Sequence, residues 1–278
     1  MTEIIKEHIF VGIADYERCL SLIQHETKLY LVNHAALAEE FFYQLGLRQF
    51  GNFHRIKLDP PPPLRELVKL AVAADEHFPE SGMSVESGTD AIVQILTSRA
   101  EMLDEYFSLK ISGDGLVQEL PMLLRDYKPD LDKLPLLLMR LGPQVEWGSE
   151  KECFDSFLRE LAFFYIPDVP AQLLLAKSHS SSELASTENQ DKGMELDDTA
   201  ELSSSDKQPH KAAESQAMKS KYKDVEEWSV VEKASRWQIQ HILFPAMRKY
   251  FVPQKALLDR DIVQVANLPD LYRVFERC

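Results

Sequence analysis

A cluster of polar side chains lies at a predicted strand-to-helix junction, between Val32 and Glu40. His34, Glu39 and Glu40 are one or two helical turns apart there, a spacing at which an imidazole and carboxylates can converge on a divalent metal. A protein metal site normally needs about three such ligands. The alternative is that Asn33 caps a helix while Glu39 and Glu40 are solvated. We favour this alternative, because the remaining ligands are hard to find nearby.

The last residue, Cys278, places a thiol beside a free carboxylate, and both groups can bind a metal. Cys19 and Cys153 are distant in sequence and form no Cys-x-x-Cys pair, so neither a disulfide framework nor a self-contained zinc site is predicted.

The segment before Cys278 is apolar and includes Leu268, Leu271, Tyr272, Val274 and Phe275. We expect this tail to pack, either in the chain's own core or, as we favour, in an interface.

Net charge limits the binding partners. The 278 residues carry 31 Lys and Arg against 45 Asp and Glu, a formal charge of -14. Because non-specific DNA affinity comes from clustered basic residues, we expect little DNA binding by the chain alone. No apolar run is long enough to cross a membrane, and no signal peptide is recognisable, so we expect an intracellular protein in a reducing compartment.

The predicted elements begin with strands. Alternating apolar residues predict consecutive strands over residues 8–33, and Asn33 then makes a good helix N-cap. A further strand over 53–58 ends at a stiff connector of four prolines, 60–63.

The residues after the connector are predicted to be mainly helical. We expect helices at 64–74 and 90–107, strands at 107–111 and 136–141, and a helix that begins with a Ser149–Glu152 capping box.

The remaining third of the chain divides into a linker and a short ordered part. Residues 179–221 contain no Ile, Val, Phe, Tyr or Trp, so we expect them to be disordered. A helix from about residue 235, kinked at Pro245, and a strand over 262–266 lead to the tail.

Several stretches resemble the carboxy-terminal domain of the MutL homologue one family of eukaryotic mismatch-repair proteins. They are Thr27-Lys28-Leu29-Tyr30-Leu31-Val32-Asn33, Ala100-Glu101-Met102-Leu103 with Tyr106-Phe107-Ser108-Leu109, Glu150-Lys151-Glu152-Cys153-Phe154, and the tail from Asn267 to Phe275-Glu276-Arg277-Cys278. The resemblance covers nearly the whole chain except about 167–227. No Gly-rich nucleotide-binding pattern occurs, so the family's amino-terminal ATPase domain, with its ATP, is expected to be absent.

The resemblance implies an α/β (α+β) fold in which one subdomain is discontinuous. Residues 1–60 and 235–278 would form a dimerisation subdomain, and residues 61–166 an inserted, mainly helical regulatory subdomain. Residues 167–234 would be an acidic, Ser-rich, disordered linker.

The resemblance also implies that this chain has lost a metal site. Endonuclease-active relatives carry an Asp, a His and two Glu at the strand-to-helix junction, and these fall here at Asn33, Ala35, Glu39 and Gln44. Only Glu39 is retained, and His34 is one residue out of register, about 100° around the helix. The chain is therefore expected to be no enzyme by itself.

The implied function is that of a non-catalytic heterodimerisation module in DNA mismatch repair, located in the nucleus. Leu268, Leu271, Tyr272, Val274 and Phe275 would form the interface with a PMS-type (post-meiotic segregation) endonuclease subunit. Glu276, Arg277 and Cys278 would reach the partner's zinc or manganese site, with Cys278 as a possible ligand. A meiotic paralogue and a repair exonuclease, the latter through short aromatic peptides, are further implied partners. The alternatives are a metal-dependent nuclease in its own right and an adaptor that acts through its acidic linker.

Overall fold

The computed structural model describes residues 2–76, 78–167 and 230–270. Of these, residues 2–167 and 237–270 belong to one compact unit, and residues 230–236 belong to a second.

The amino-terminal part alternates strands with one long helix. Its elements are α1 (Thr2–Glu7), β1 (Ile9–Asp15), β2 (Leu20–His25), β3 (Lys28–Asn33), α2 (His34–Gln49) and β4 (His54–Lys57). The predicted consecutive strands are confirmed. Helix α2 begins where the sequence predicts, because the side chain of Asn33 accepts a hydrogen bond from the Ala36 N–H at 3.1 Å.

The middle part is mainly helical. Its elements are α3 (Leu64–Ala74), α4 (Val85–Ser98), α5 (Ala100–Phe107), β5 (Lys110–Ile111), β6 (Val117–Met122), α6 (Leu134–Arg140) and α7 (Glu150–Tyr165). The prediction of one helix over 90–107 is wrong at Arg99, where φ is -115° and ψ is 12° and two helices meet. The strand expected from residue 107 is shortened, because Ser108 adopts a left-handed conformation that ends α5.

Residues 136–141 were expected to form a short buried strand, and this prediction is wrong. Residues 136–140 belong to α6 and Leu141 is its C-cap; α6 carries Pro135 in its first turn, a position where proline suits a helix. An unbroken apolar run does not distinguish a buried strand from a buried helix. At α7, the Ser149 hydroxyl donates to the Glu152 carboxylate and no side-chain cap to the backbone forms. The helix starts as predicted, but the reciprocal capping box does not form.

The carboxy-terminal part completes the first sheet. Its elements are α8 (Val230–Gln238), a π-helical turn (Ile239–Leu243), α9 (Phe244–Tyr250), α10 (Lys255–Asp261) and β7 (Ile262–Asn267). A π-helical turn precedes Pro245, which lies in the first turn of α9, and the kink expected at Pro245 stays a prediction. The predicted disordered segment 179–221 lies outside the described residues.

Two antiparallel sheets organise the unit. The first has strand order β1-β2-β3-β7, and the second has order β4-β6-β5. Strand β7 pairs with β3, which joins the last described strand to the third. The α+β fold class is confirmed, whereas the division into dimerisation and regulatory subdomains stays a prediction. None of the helices in the described ranges is long and apolar enough to span a bilayer.

The main core lies where α2 packs against α7. The ring of Phe42 on α2 lies 5.1 Å from the rings of both Tyr127 and Tyr165. The Tyr165 hydroxyl donates to the Pro121 carbonyl at 2.6 Å, which attaches α7 to β6 and the second sheet. These contacts fix α2, the helix that carries the candidate metal-binding positions.

Candidate functional site

The first turn of α2 uses its polar residues to hold the fold together. The side-chain oxygen of Asn33 is engaged as the helix cap. His34 is buried, and its Nδ1 lies 2.9 Å from the Ser21 hydroxyl on β2. Burial lowers the pKa of His34 to about 4, so the ring is neutral near pH 7. Both side chains therefore connect α2 to the first sheet.

The second turn of α2 faces a small polar cavity of about 140 Å³. Glu39 and Glu40 line this cavity together with Arg159 and Arg260. Both arginines are ion-paired, Arg159 with Asp155 at 3.2 Å and Arg260 with Asp261 at 2.8 Å. Glu39, the one retained position of the relatives' metal set, thus lines the same cavity as two arginines.

Gln44 holds α2 to the segment that follows α9. Its side-chain amide donates to the Val252 carbonyl at 2.9 Å, and its oxygen accepts from the Val252 N–H at 3.1 Å. Arg48, one turn further on, donates to the Tyr250 carbonyl at 2.5 Å. A glutamate at position 44 could accept from Val252 but could not donate. Sequence inspection missed this role, since the two residues are 208 positions apart.

Within the described ranges, no three His, Cys, Asp or Glu residues are grouped closely enough to hold a metal ion. This statement does not extend to Cys278, since residues 271–278 lie outside the described part. The predictions for Leu271, Tyr272, Val274, Phe275, Glu276, Arg277 and Cys278 therefore stay predictions. The start of the tail is described: the Leu268 N–H donates to the Thr27 carbonyl at 2.8 Å, beside the β2–β3 turn.

The first sheet has one covered face and one uncovered face. On the covered face, Ile23 and Val32 are completely buried. The alternate residues point the other way, and Leu22, Leu31 and Val263 pair directly across three strands. We define the outer sheet face as Ile9, Leu22, Leu29, Leu31 and Val263, with Val11 and Val265 at bulges in the two edge strands.

The outer sheet face is mainly apolar and open to solvent, with Gln24 between Ile9 and Leu29 as a polar residue on it. Ile9, Val11, Val263 and Val265 are 62%, 52%, 55% and 50% exposed. A Cβ added at Gly12, which pairs with Leu22, would meet nothing within 4 Å. No described residue covers this face. Contiguous apolar patches of this kind mark interaction surfaces, whereas scattered exposed apolar residues do not.

Comparison with known proteins agrees with the fold. The family described as "DNA mismatch repair protein Mlh1 C-terminus" matches residues 1–278. DNA mismatch repair protein MLH1 of Saccharomyces cerevisiae is 32% identical over the whole chain, which covers 31% of that relative. DNA mismatch repair protein Mlh1 of Dictyostelium discoideum is 31% identical, again over the whole chain and 28% of the relative.

Putative MutL protein homolog 1 of Schizosaccharomyces pombe is 28% identical over the whole chain and 32% of the relative. The chain thus spans about a third of the length of the curated relatives it matches. The match of the family over every residue and the identity above 30% confirm the family resemblance found in the sequence. The chain belongs to the family of Mlh1 carboxy-terminal domains of MutL-type DNA mismatch repair.

Proposed function

We propose that this chain is a non-catalytic heterodimerisation module of a MutL-type mismatch-repair complex. The observation that carries the proposal is the outer sheet face, an apolar surface across four strands that no described residue covers. Burying such a face against a partner stabilises the complex by roughly 25 cal/mol for each Å² of apolar surface removed from water.

The direction of the tail supports the same surface. Strand β7 is an edge of the first sheet and carries Val263 and Val265 on or beside the outer face. Leu268 follows directly and is held beside the β2–β3 turn by its backbone. From this start, the tail would extend next to the proposed interface. Leu271, Tyr272, Val274 and Phe275 would extend the interface beyond the sheet.

The absence of catalysis by this chain alone is part of the proposal. Asn33 caps a helix, Ala35 offers no ligand atom, and the amide of Gln44 is occupied by Val252. The remaining carboxylate, Glu39, shares its cavity with Arg159 and another arginine. We therefore assign any nicking activity of the assembled complex to the partner.

The partner that we propose is a PMS-type endonuclease subunit whose site binds zinc or manganese. Glu276, Arg277 and Cys278 would complete that site in trans, with the Cys278 thiolate as a ligand or a neighbour of a ligand. A meiotic paralogue and a repair exonuclease are further proposed partners, in the nucleus. ATP would act only through a domain outside this chain.

The test is co-purification with a PMS-type carboxy-terminal domain. The intact chain and a version that ends at Arg277 are each co-expressed with this partner, and complex formation is measured together with manganese-dependent nicking of supercoiled DNA. We expect a complex in both cases and nicking only with the intact chain.

Each other result has a defined meaning. Equal nicking and equal metal content in both complexes would remove the role of Cys278. Absence of a complex in both would contradict the heterodimer itself. Nicking by the purified chain without the partner would favour the alternative of a nuclease in its own right.

A further inference from the structure

Three helices end at one surface of the chain. Arg248, in the last turn of α9, donates from its Nε to the carbonyl of Lys6, in the last turn of α1, at 3.3 Å. Arg48, in the last turn of α2, donates to the Tyr250 carbonyl at the end of α9 at 2.5 Å. Helix C-termini attract cations because their last carbonyls carry a partial negative charge. The ends of α1, α2 and α9 therefore gather basic residues in one place.

We define the α9 basic patch as Lys6, Arg48, Arg248 and Lys249, all of which are exposed. The Lys249 ammonium lies 4.8 Å from the centre of the Tyr250 ring, and Tyr250 is 40% exposed. None of the four basic side chains forms an ion pair with a residue in the described ranges. Most of the described arginines, in contrast, do pair with a carboxylate. The cations of the patch are thus available to an anion from outside the chain.

Acidic residues near the patch do not cancel its charge. Glu3 and Glu7 are on α1, and the Glu7 carboxylate lies 3.9 Å from the His25 imidazole on β2. Even with both counted, four basic side chains against two acidic ones leave a formal charge of +2. Glu40 lies two turns before Arg48 on α2, about 12 Å along the axis, which exceeds the Debye length at physiological salt. The patch is therefore locally positive in a chain whose formal charge is -14.

The α9 basic patch and the outer sheet face lie on opposite sides of the first sheet. Helix α9 packs on the covered face, where the Phe244 ring lies 4.7 Å from that of Phe10. Arg248 and Lys249 are exposed at the C-terminal end of this helix. A partner bound to the outer sheet face would therefore leave the patch open to a second ligand.

We propose that the α9 basic patch binds the phosphate backbone of duplex DNA. This role rests on the proposed function, because a complex that nicks DNA must hold the duplex while the partner cuts it. Lysine and arginine bind phosphates through charge-assisted hydrogen bonds and release counterions, without reading the bases. Four such contacts give the chain alone a weak, salt-sensitive affinity, and they add to the partner's contacts in the complex.

The competing occupant is an acidic segment of another protein, and neighbouring apolar side chains distinguish the two. Leu47 directly precedes Arg48, Val252 lies two residues beyond Tyr250, and the two are 51% and 57% exposed. A protein segment would bury them, because the centre of a protein interface is apolar. Phosphate contacts need only the cations. DNA binding should therefore depend on the basic residues and not on Leu47 or Val252.

The experiment measures binding of a fluorescein-labelled duplex of about 30 base pairs by fluorescence anisotropy. The chain is titrated alone and in complex with a PMS-type carboxy-terminal domain, at salt concentrations between about 50 and 200 mM. Complex formation is measured separately by gel filtration. Circular dichroism and the unfolding midpoint identify any variant that has lost its fold.

The main variant combines Arg48→Gln, Arg248→Gln and Lys249→Gln, which removes three charges but keeps a side-chain donor at each position. We expect the affinity for the duplex to fall by about tenfold or more. The slope of log K against log salt should become shallower by about 2 to 3, since each phosphate contact contributes about 0.9. Lys249→Gln alone replaces the main variant if that is unfolded, because Lys249 holds no main-chain carbonyl, and it should change the slope by about 0.9.

Two controls accompany the main variant. The first removes three exposed charges elsewhere, with Arg125→Gln, Lys128→Gln and Lys151→Gln, and should leave affinity and slope nearly unchanged. The second is Leu47→Ser with Val252→Ser, which keeps every cation of the patch and should bind the duplex normally.

The expected pattern is salt-sensitive binding of the duplex that only the patch variants weaken. The inference is overturned if a folded patch variant keeps the affinity and slope of the unaltered protein, which would mean that the cations serve only the helix ends. It is also overturned if neither the chain nor the complex binds the duplex at about 50 mM salt. An equal loss in Leu47→Ser with Val252→Ser would identify a protein-docking surface instead. Failure of the complex to form would contradict the proposed function, whereas the chain titrated alone would still test the patch.

Discussion

The two faces of the first sheet are built from the same residue types but have opposite surroundings. Ile23 and Val32 on the covered face are completely buried, and the ring of Phe10 on this face lies 4.7 Å from that of Phe244. On the outer face, Leu31 is half-buried and Val263 is exposed. Aliphatic content therefore does not tell which face stabilises the monomer.

The difference has an energetic meaning. Burying a Val, Leu or Phe side chain contributes about 1.5–3 kcal/mol. The covered face has gained this free energy in the isolated chain, whereas under our proposal the outer face would gain it only in a complex. Substitutions on the covered face should lower the free energy of unfolding, and those on the outer face should lower affinity.

Phe244→Ala should produce the largest loss of stability. The ring is 1% exposed and contacts His8 as well as Phe10, so its removal leaves a cavity between α1, β1 and α9. We expect the free energy of unfolding to fall by about 3–5 kcal/mol in urea titrations. Val11→Ala on the edge of the outer face is the control and should change it by less than about 1 kcal/mol. Equal losses would contradict the distinction between the faces.

Acidification should also destabilise the covered face, through His34. The unfolded chain binds a proton at His34 near pH 6.5, whereas the folded chain resists it until about pH 4. Because the unfolded state binds more protons in this window, stability falls as the pH is lowered from 6.5 towards 4. The full loss is on the order of 3 kcal/mol.

The measurement compares the chain with His34→Gln, which cannot titrate. The difference between their unfolding free energies should change with pH across this window, while the many carboxylates affect both alike. A constant difference would mean that His34 is protonated without cost.

Gln44→Glu should have a smaller effect. The substitution leaves an acceptor where the Val252 carbonyl now receives a hydrogen bond, so one bond is lost and two oxygens face each other. We expect a loss of about 1–3 kcal/mol at pH 7. Lys255→Glu is a charge change three residues beyond Val252 and should be close to neutral. A gain of manganese-dependent nicking in Gln44→Glu would contradict the structural role of the amide.

The sequence predicts the strands over 8–33 and the cap at Asn33 because these depend on neighbouring residues. The secondary-structure prediction fails at 136–141, because a continuous apolar run has no periodicity that would distinguish a strand from a helix. It also misses the Gln44–Val252 pair and the open face, because each depends on residues far apart in the chain. Both faces of β2 and β3 are apolar, so alternation could not show which one is covered.

Val263→Asp should change stability least and binding most. Val263 is 55% exposed, so a carboxylate there remains hydrated in the isolated chain, and we expect a change of about 1 kcal/mol or less in the free energy of unfolding. In a complex the same carboxylate would be buried without a partner, which should weaken binding to a PMS-type domain by about 100-fold or more.

The matched control is Gln264→Asp, which places the same charge one residue along, opposite Tyr30 and outside the outer sheet face. It should keep the affinity measured by calorimetry. If both variants bind normally, the tail beyond Leu268 carries the interface without the sheet. If both variants lose binding while remaining folded, binding depends on strand β7 as a whole and not specifically on its outer face. Loss in Val263→Asp alone would establish that the face left uncovered in the monomer is the one that the partner covers.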